Sequence, residues 1–324
     1  MGRNFTRIRR PIDCHLVFCG LIAIGIGMSA GFVVAGPPAK RARPPKFSKA
    51  VTDVFFPDAR QKLVGTRPDK PTTAAAAPDS TPASPPTRPA ASSLAWEPLI
   101  SAEAIEDEIK AQHQALRGAL QNAVQFKGGD YRKARRHLSI LAAMFAINAD
   151  YAQPMRWHRV APAVRDAVAR AGFNCKVGSD ASYKEAKARY DDLETLIRGG
   201  SIDVGQAENS FTWPRVADRS TLMTRLEAAQ EERLAAWTAN AGAFDENLAS
   251  VAHEAQIIAA LAEVIAREGY EYADDETYQE YAGTMRDQAL KVREAVAASD
   301  YSAARQAVGE IGKACAQCHE GFRN

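Results

Sequence analysis

The sequence predicts an all-α protein: two tandem four-helix bundles, preceded by an N-terminal apolar leader and a disordered stalk rich in Pro and Ala. Three observations carry this expectation. Composition changes sharply near Ala95, so the 324 residues cannot share one continuous core. Beyond that point Pro is scarce and apolar residues recur at helical spacing, as in Leu222, Leu226, Leu234 and Trp237. The sequence also resembles itself at long range, because Trp96 and Trp213 each open a half and lie 117 positions apart (213 − 96). The same shift places Leu141-Ala142-Ala143-Met144 on Ile258-Ala259-Ala260-Leu261, and with one inserted residue Tyr183, Ala186 and Leu193 fall on Tyr301, Ala304 and Ile311. A repeat this long implies two domains of one fold, not a solenoid of short units.

The leader comes first. Arg3, Arg7, Arg9 and Arg10 precede an apolar run over residues 16–36, the pattern of a signal peptide or of an uncleaved membrane anchor. Lys40, Arg41, Arg43, Lys46 and Lys49 follow closely, so both flanks are basic and charge does not orient the segment. Either reading takes the chain out of the cytoplasm, to the periplasm or a comparable exported location. Residues 37–95 are rich in Pro, Ala, Thr and Ser, for example Ser84-Pro85-Pro86-Thr87-Arg88-Pro89. Such a stretch cannot bury enough apolar surface to offset its chain entropy and reads as an extended linker.

The folded part divides into residues 96–200 and 201–324. Gly, Pro and Ser/Asp breaks at residues 127–130, 153–154, 178–180, 199–200, 241–242, 268–269 and 299–300 cut each half into four helices. In the second half these are expected over residues 220–240, 245–267, 274–298 and 301–322. Residues 96–200 carry 16 Lys/Arg and 13 Asp/Glu, whereas residues 201–324 carry 11 and 21. A mildly basic half thus precedes a strongly acidic one. Neither holds a Lys/Arg stripe with interleaved aromatics, so nothing argues for nucleic-acid binding.

Five cysteines form no disulfide framework. Cys14 and Cys19 belong to the leader, and Cys175 reads as a buried structural thiol. Cys315-Ala316-Gln317-Cys318-His319 carries the chemistry. Two thiols at this spacing, followed by a histidine, attach a c-type haem through its vinyl groups and ligate its iron. Positions i, i+3 and i+4 share one helix face, so both sulfurs and the imidazole can address one porphyrin. The competing readings are a zinc site, which needs a fourth ligand from a second motif, and a dithiol redox pair, which normally starts a helix in a strand-containing fold.

With its four-helix unit, its motif in the last helix and an ending Glu320-Gly321-Phe322-Arg323, the second half resembles the class II c-type cytochromes, the cytochrome c prime family. The resemblance covers residues 213–324; the first half shares the fold only. It implies one haem c per chain, covalently held by Cys315 and Cys318, with His319 as the proximal iron ligand. Arg219-Ser220-Thr221-Leu222-Met223 resembles that family's Arg-x-x-x-Met. Met223 is therefore the candidate sixth ligand, or else a core methionine, and Arg219 a candidate contact for a haem propionate. Met285 and His253 are rivals to Met223, and Leu222, Leu226, Tyr301 and Val308 are candidate pocket walls. In the first half Glu106 replaces Met223, while Ile197, Gly200 and Ser201 stand opposite Cys315, Cys318 and His319, so that copy has no haem-attachment group. Relatives of this kind often pair through their first two helices, and the first copy is expected to take that place within the same chain.

The function expected is electron transfer with a redox partner protein that presents a basic patch. The alternatives are a five-coordinate haem protein that binds NO or CO, and a sensory or structural module. No nucleophile triad, phosphate loop or His-Glu-x-x-His helix is visible, so enzyme activity is not expected.

Overall fold

In the computed structural model residues 95–323 are described, and they lie in a single compact unit. The leader and almost all of the stalk fall outside the described residues. Six of the eight long helices among the described residues begin where a side chain can satisfy the first backbone donors, or where a proline makes that unnecessary. Ser101 accepts from Ala104 N at the start of α1 (Ala102–Ala119), and α2 (Tyr131–Asp150) follows a π-helical turn over Phe126–Asp130. Pro162 sits in the first turn of α3 (Ala161–Asn174), and Ser179 with Ser182 forms a capping box at α4 (Asp180–Ile197). In the second half Asp218 caps α5 (Arg219–Glu227), Asp275 caps α7 (Glu276–Ala297) and Asp300 caps α8 (Tyr301–Phe322). No strand occurs among the described residues.

Two of the expected helix bounds change. The helix expected over residues 220–240 passes from α5 through a π-helical stretch, Ala228–Leu234, into a last turn at Ala235–Trp237. The wider turn brings Gln230 to α8, where its Nε2 donates to Val308 O at 3.0 Å. The helix expected to begin at residue 245 is instead two, Ala241–Glu246 and α6 (Leu248–Ile265). Asn247 breaks them, because its side chain donates back to Ala243 O at 2.8 Å and competes with the helical ladder.

Helices α1–α4 form one bundle and α5–α8 a second, joined by an extended segment over residues 199–212. The bundles meet through α1 and α2 on one side and α5 and α6 on the other. That explains two helices with hardly a polar face. Residues 138–148 of α2 and 257–265 of α6 are all buried, since each has neighbours in both bundles. By length and composition α6 is apolar enough to cross a membrane, yet it is the core helix of the second bundle.

The interface preserves the symmetry of the repeat. Trp96 packs edge-on against Trp213 with centroids 5.6 Å apart. Glu108 and Arg225, also 117 positions apart, pair through 2.8 and 3.0 Å hydrogen bonds. Inside each bundle a tyrosine closes the helix entry the same way: Tyr151 donates to Ile100 O and Tyr270 to Ala217 O. A residue meets its own counterpart only beside a two-fold axis. The chain is thus a covalently linked pseudo-dimer.

Candidate functional site

Helix α8 sets Cys315, Cys318 and His319 on one face, and all three line a cavity of about 620 Å³ inside the second bundle. Met223, Leu226 and Gln230 close it from α5 and the π-helical stretch after it, Ile265 from α6, and Tyr278, Ala282 and Met285 from α7. The size falls within the ~300–1,000 Å³ range of cofactor pockets, and the mostly apolar wall is what a porphyrin face requires.

The electrostatics of the two sulfurs favour uncharged chemistry. Burial pushes the Cys315 thiol up to about 11, with Cys318 and Glu231 adding to the shift. Burial also raises Cys318, against the attraction of Arg219. A thiolate, the form that binds zinc or attacks a disulfide, is therefore disfavoured, whereas a thioether carries no charge to desolvate. Among the described residues no group of three or more His, Cys, Asp or Glu side chains is placed to hold a bare metal ion. The residues present fit a covalently attached haem better than either competing reading.

The other candidates separate. Met223 is half-buried and lines the cavity; so does Met285, whose Sδ lies 3.8 Å from Cys315 Sγ. His253 faces the opposite way, with Nε2 3.2 Å from Glu108 Oε2 across the bundle interface. Of the four candidate walls, Leu226 lines the cavity, while Leu222 and Val308 are buried in the core and Tyr301 packs on Phe244. Arg219 stands outside the lining, its Nη2 2.8 Å from Glu271 Oε2 and its guanidinium 5.1 Å from the centre of the Tyr272 ring. It is close enough to draw Cys318 and Tyr278 down electrostatically.

Two features of the site were not expected from the sequence. Glu227, Glu231 and Glu320 give the cavity an acidic, exposed rim, with Arg323 beside them. The helical steps from Met223 to Glu227 and on to Glu231 would have located two of these acids. Phe322 sits among Tyr272, Tyr278 and Tyr281 at centroid distances of 5.1, 5.5 and 6.5 Å, pinning the end of α8. Nothing in the spacing of these residues signals a cluster, since they come from a loop and two helices.

In the first bundle the positions corresponding to Met223 and Cys315 are bridged by an arginine. Arg156 Nη1 lies 3.7 Å from Glu106 Oε2, the counterpart of Met223, and its Nη2 donates at 2.6 Å to the carbonyl of Ile197, the counterpart of Cys315. Trp157 follows, donating to Leu196 O at 3.2 Å and packing on Phe145. Gly200 and Ser201 lie past the end of α4. Cys175 is fully buried and its thiol is pushed up to about 12, chiefly by burial, as expected of a structural thiol.

Comparison with known proteins gives one family: residues 215–323 match the family model described as Cytochrome C'. No match was found among curated proteins or among solved structures.

Proposed function

Residues 215–323 belong to the cytochrome c' family, and on that premise we propose that this chain is an exported electron carrier with one haem c, not an enzyme. The observation that carries the proposal is the convergence of Cys315, Cys318 and His319 on one apolar cavity that also receives Met223 from α5. Haem bound there supplies an iron that cycles between two oxidation states. The chain's own residues do the rest. Cys315 and Cys318 would anchor the ring, His319 would ligate its iron from α8, and Met223 would be the candidate second protein ligand from α5. Leu226, Ile265 and Ala282 exclude water and so limit reorganisation around the site. Arg219 would turn from Glu271 to a propionate, a short move for an Arg already beside Cys318.

The rim formed by Glu227, Glu231 and Glu320 supports an encounter with a basic patch on a redox partner, weakening as salt rises. Export rests on the basic and apolar leader over residues 1–36.

The test is an absorption spectrum with a pyridine haemochrome assay on protein matured in a host with haem-attachment machinery. The expected result is one haem c per chain and low-spin ferric iron. High-spin five-coordinate iron would remove Met223 and replace electron transfer by binding of NO or CO. A terminal peptide with no added macrocycle would end the proposal.

A further inference from the structure

The interface between the bundles contains more chemistry than burial requires. Arg225 (6 % exposed) lies between two buried carboxylates: Nε and Nη2 donate to Glu108 (1 % exposed) across the interface, and Nη1 and Nη2 donate to Glu254 (3 % exposed) within its own bundle. Arg233 also pairs with Glu254. Around Glu108 stand Gln112, donating at 2.8 Å, and His253 at 3.2 Å. His137 closes the set through Gln112 Oε1 at 2.7 Å.

The repeat gives this arrangement a second meaning. Glu108 is the counterpart of Arg225, and His137 that of Glu254, each at a shift of 117. Two first bundles meeting through this face would set Glu108 against Glu108, with Gln112, a histidine that burial holds neutral, and the exposed Arg136, the counterpart of His253, as neighbours, but without the buried arginine between them. Two second bundles would set Arg225 against Arg225. Each would keep Glu254 but leave its Nε edge without the acceptor that Glu108 provides. Like charges facing one another in a buried site are strongly unfavourable, and an unpaired buried donor adds to the penalty. In the mixed pair Glu108 takes the Nε edge of Arg225 that neither like pairing supplies with a buried carboxylate.

We propose that Glu108 and Arg225 are a pairing code: they direct the α5–α6 face of the second bundle to a first bundle of this chain and against another second bundle. The repeat makes another second bundle the natural competitor, since both bundles share one fold. The code leaves the acidic cavity rim as the face open to other proteins. This inference concerns only the interface and stands whether or not the cavity holds haem.

The experiment uses the full chain and two charge reversals, Glu108→Arg and Arg225→Glu. Each variant alone places like charges at the axis, in cis and in any exchange with its own copy. Native mass spectrometry and sedimentation should give single chains whose linker at residues 199–212 has become sensitive to protease. Mixing the two variants should produce a heterodimer. The first bundle of the E108R chain then meets a second bundle of opposite charge in the R225E chain, while the unaltered position of each chain restores the native Glu108–Arg225 pair. The extended linker of 14 residues reaches about 45 Å, enough for the exchange. The double variant E108R/R225E should return to a protease-resistant single chain. Unchanged linker protection in both single variants would overturn the proposal. So would a mixture that forms no heterodimer together with a double variant that stays open, which would leave the pair a contributor to stability only.

Discussion

Removing the arginine at the centre of the interface should destabilise the whole unit, and the structure sets the size of the effect. In Arg225→Met four charge-assisted hydrogen bonds are lost, and Glu108 and Glu254 are left facing each other in a buried site. Breaking one partner of such a group costs about 3–5 kcal/mol. For a unit of this size that corresponds to a fall in Tm of roughly 6–20 °C. The pH dependence gives a second, independent check. In the native chain burial alone would raise Glu108, but the attraction of Arg225 more than offsets it, together with hydrogen bonds from His253 and Arg225, and holds the carboxyl well below its ordinary range. A depressed carboxyl stabilises the folded state above its unfolded pKa of about 4.3, and that stability is lost as pH falls toward the folded value. Without Arg225 the sign reverses: burial then raises Glu108, the folded state takes up a proton first, and the deficit of the variant shrinks on acidification. Thermal unfolding followed by circular dichroism at pH 7 and pH 4 reads both effects. The triple variant E108L/R225M/E254L, with no buried charge left unpaired, should recover most of the loss. A single variant as stable as the native chain at pH 7, or a deficit that grows toward pH 4, would refute the reasoning.

Further outcomes follow from the same physics. His137 is held down to about 4, by burial first and Arg136 second. The unfolded chain therefore binds its proton before the folded one does, and stability should fall between about pH 6.5 and pH 4, by on the order of 2 kcal/mol, in urea titrations; His137→Phe should flatten that slope. Trp157→Ala should remove the packing on Phe145 and the hydrogen bond to Leu196 O, costing about 1–3 kcal/mol in thermal unfolding while leaving the haem spectrum unchanged. Met223→Leu should convert the ferric spectrum to high spin while Met285→Leu should not; the reverse result would make Met285 the ligand. Cys175 should resist iodoacetamide at about pH 8 in the folded chain and react only after unfolding, as a mass shift on its peptide would report.

The all-α class, the eight long helices and the two-copy organisation were legible in the sequence because helical periodicity, Gly/Pro breaks and a 117-residue shift are local or self-referential signals. Cys315, Cys318 and His319 stood out for a similar reason, since the motif sets three residues within five positions on one helix face, and the structure places all three on one cavity. What the one-dimensional pattern lacked was every relation between elements. His253 and Met285 were equal rivals for the iron until packing turned one toward Glu108 and the other toward Cys315. Arg156 and Trp157 had no visible role until folding carried them to the end of α4, where they donate to Ile197, the counterpart of Cys315, and to Leu196. Glu108 and Arg225 read as ordinary helix charges, because only burial beside a two-fold axis makes their opposite signs matter. The sequence by itself determined the helices and the Cys-x-x-Cys-His motif, both written in short-range spacing. The tertiary structure alone decided which faces meet, which ligand candidates reach the cavity and which charges lose their water, because those depend on contacts between residues far apart along the chain.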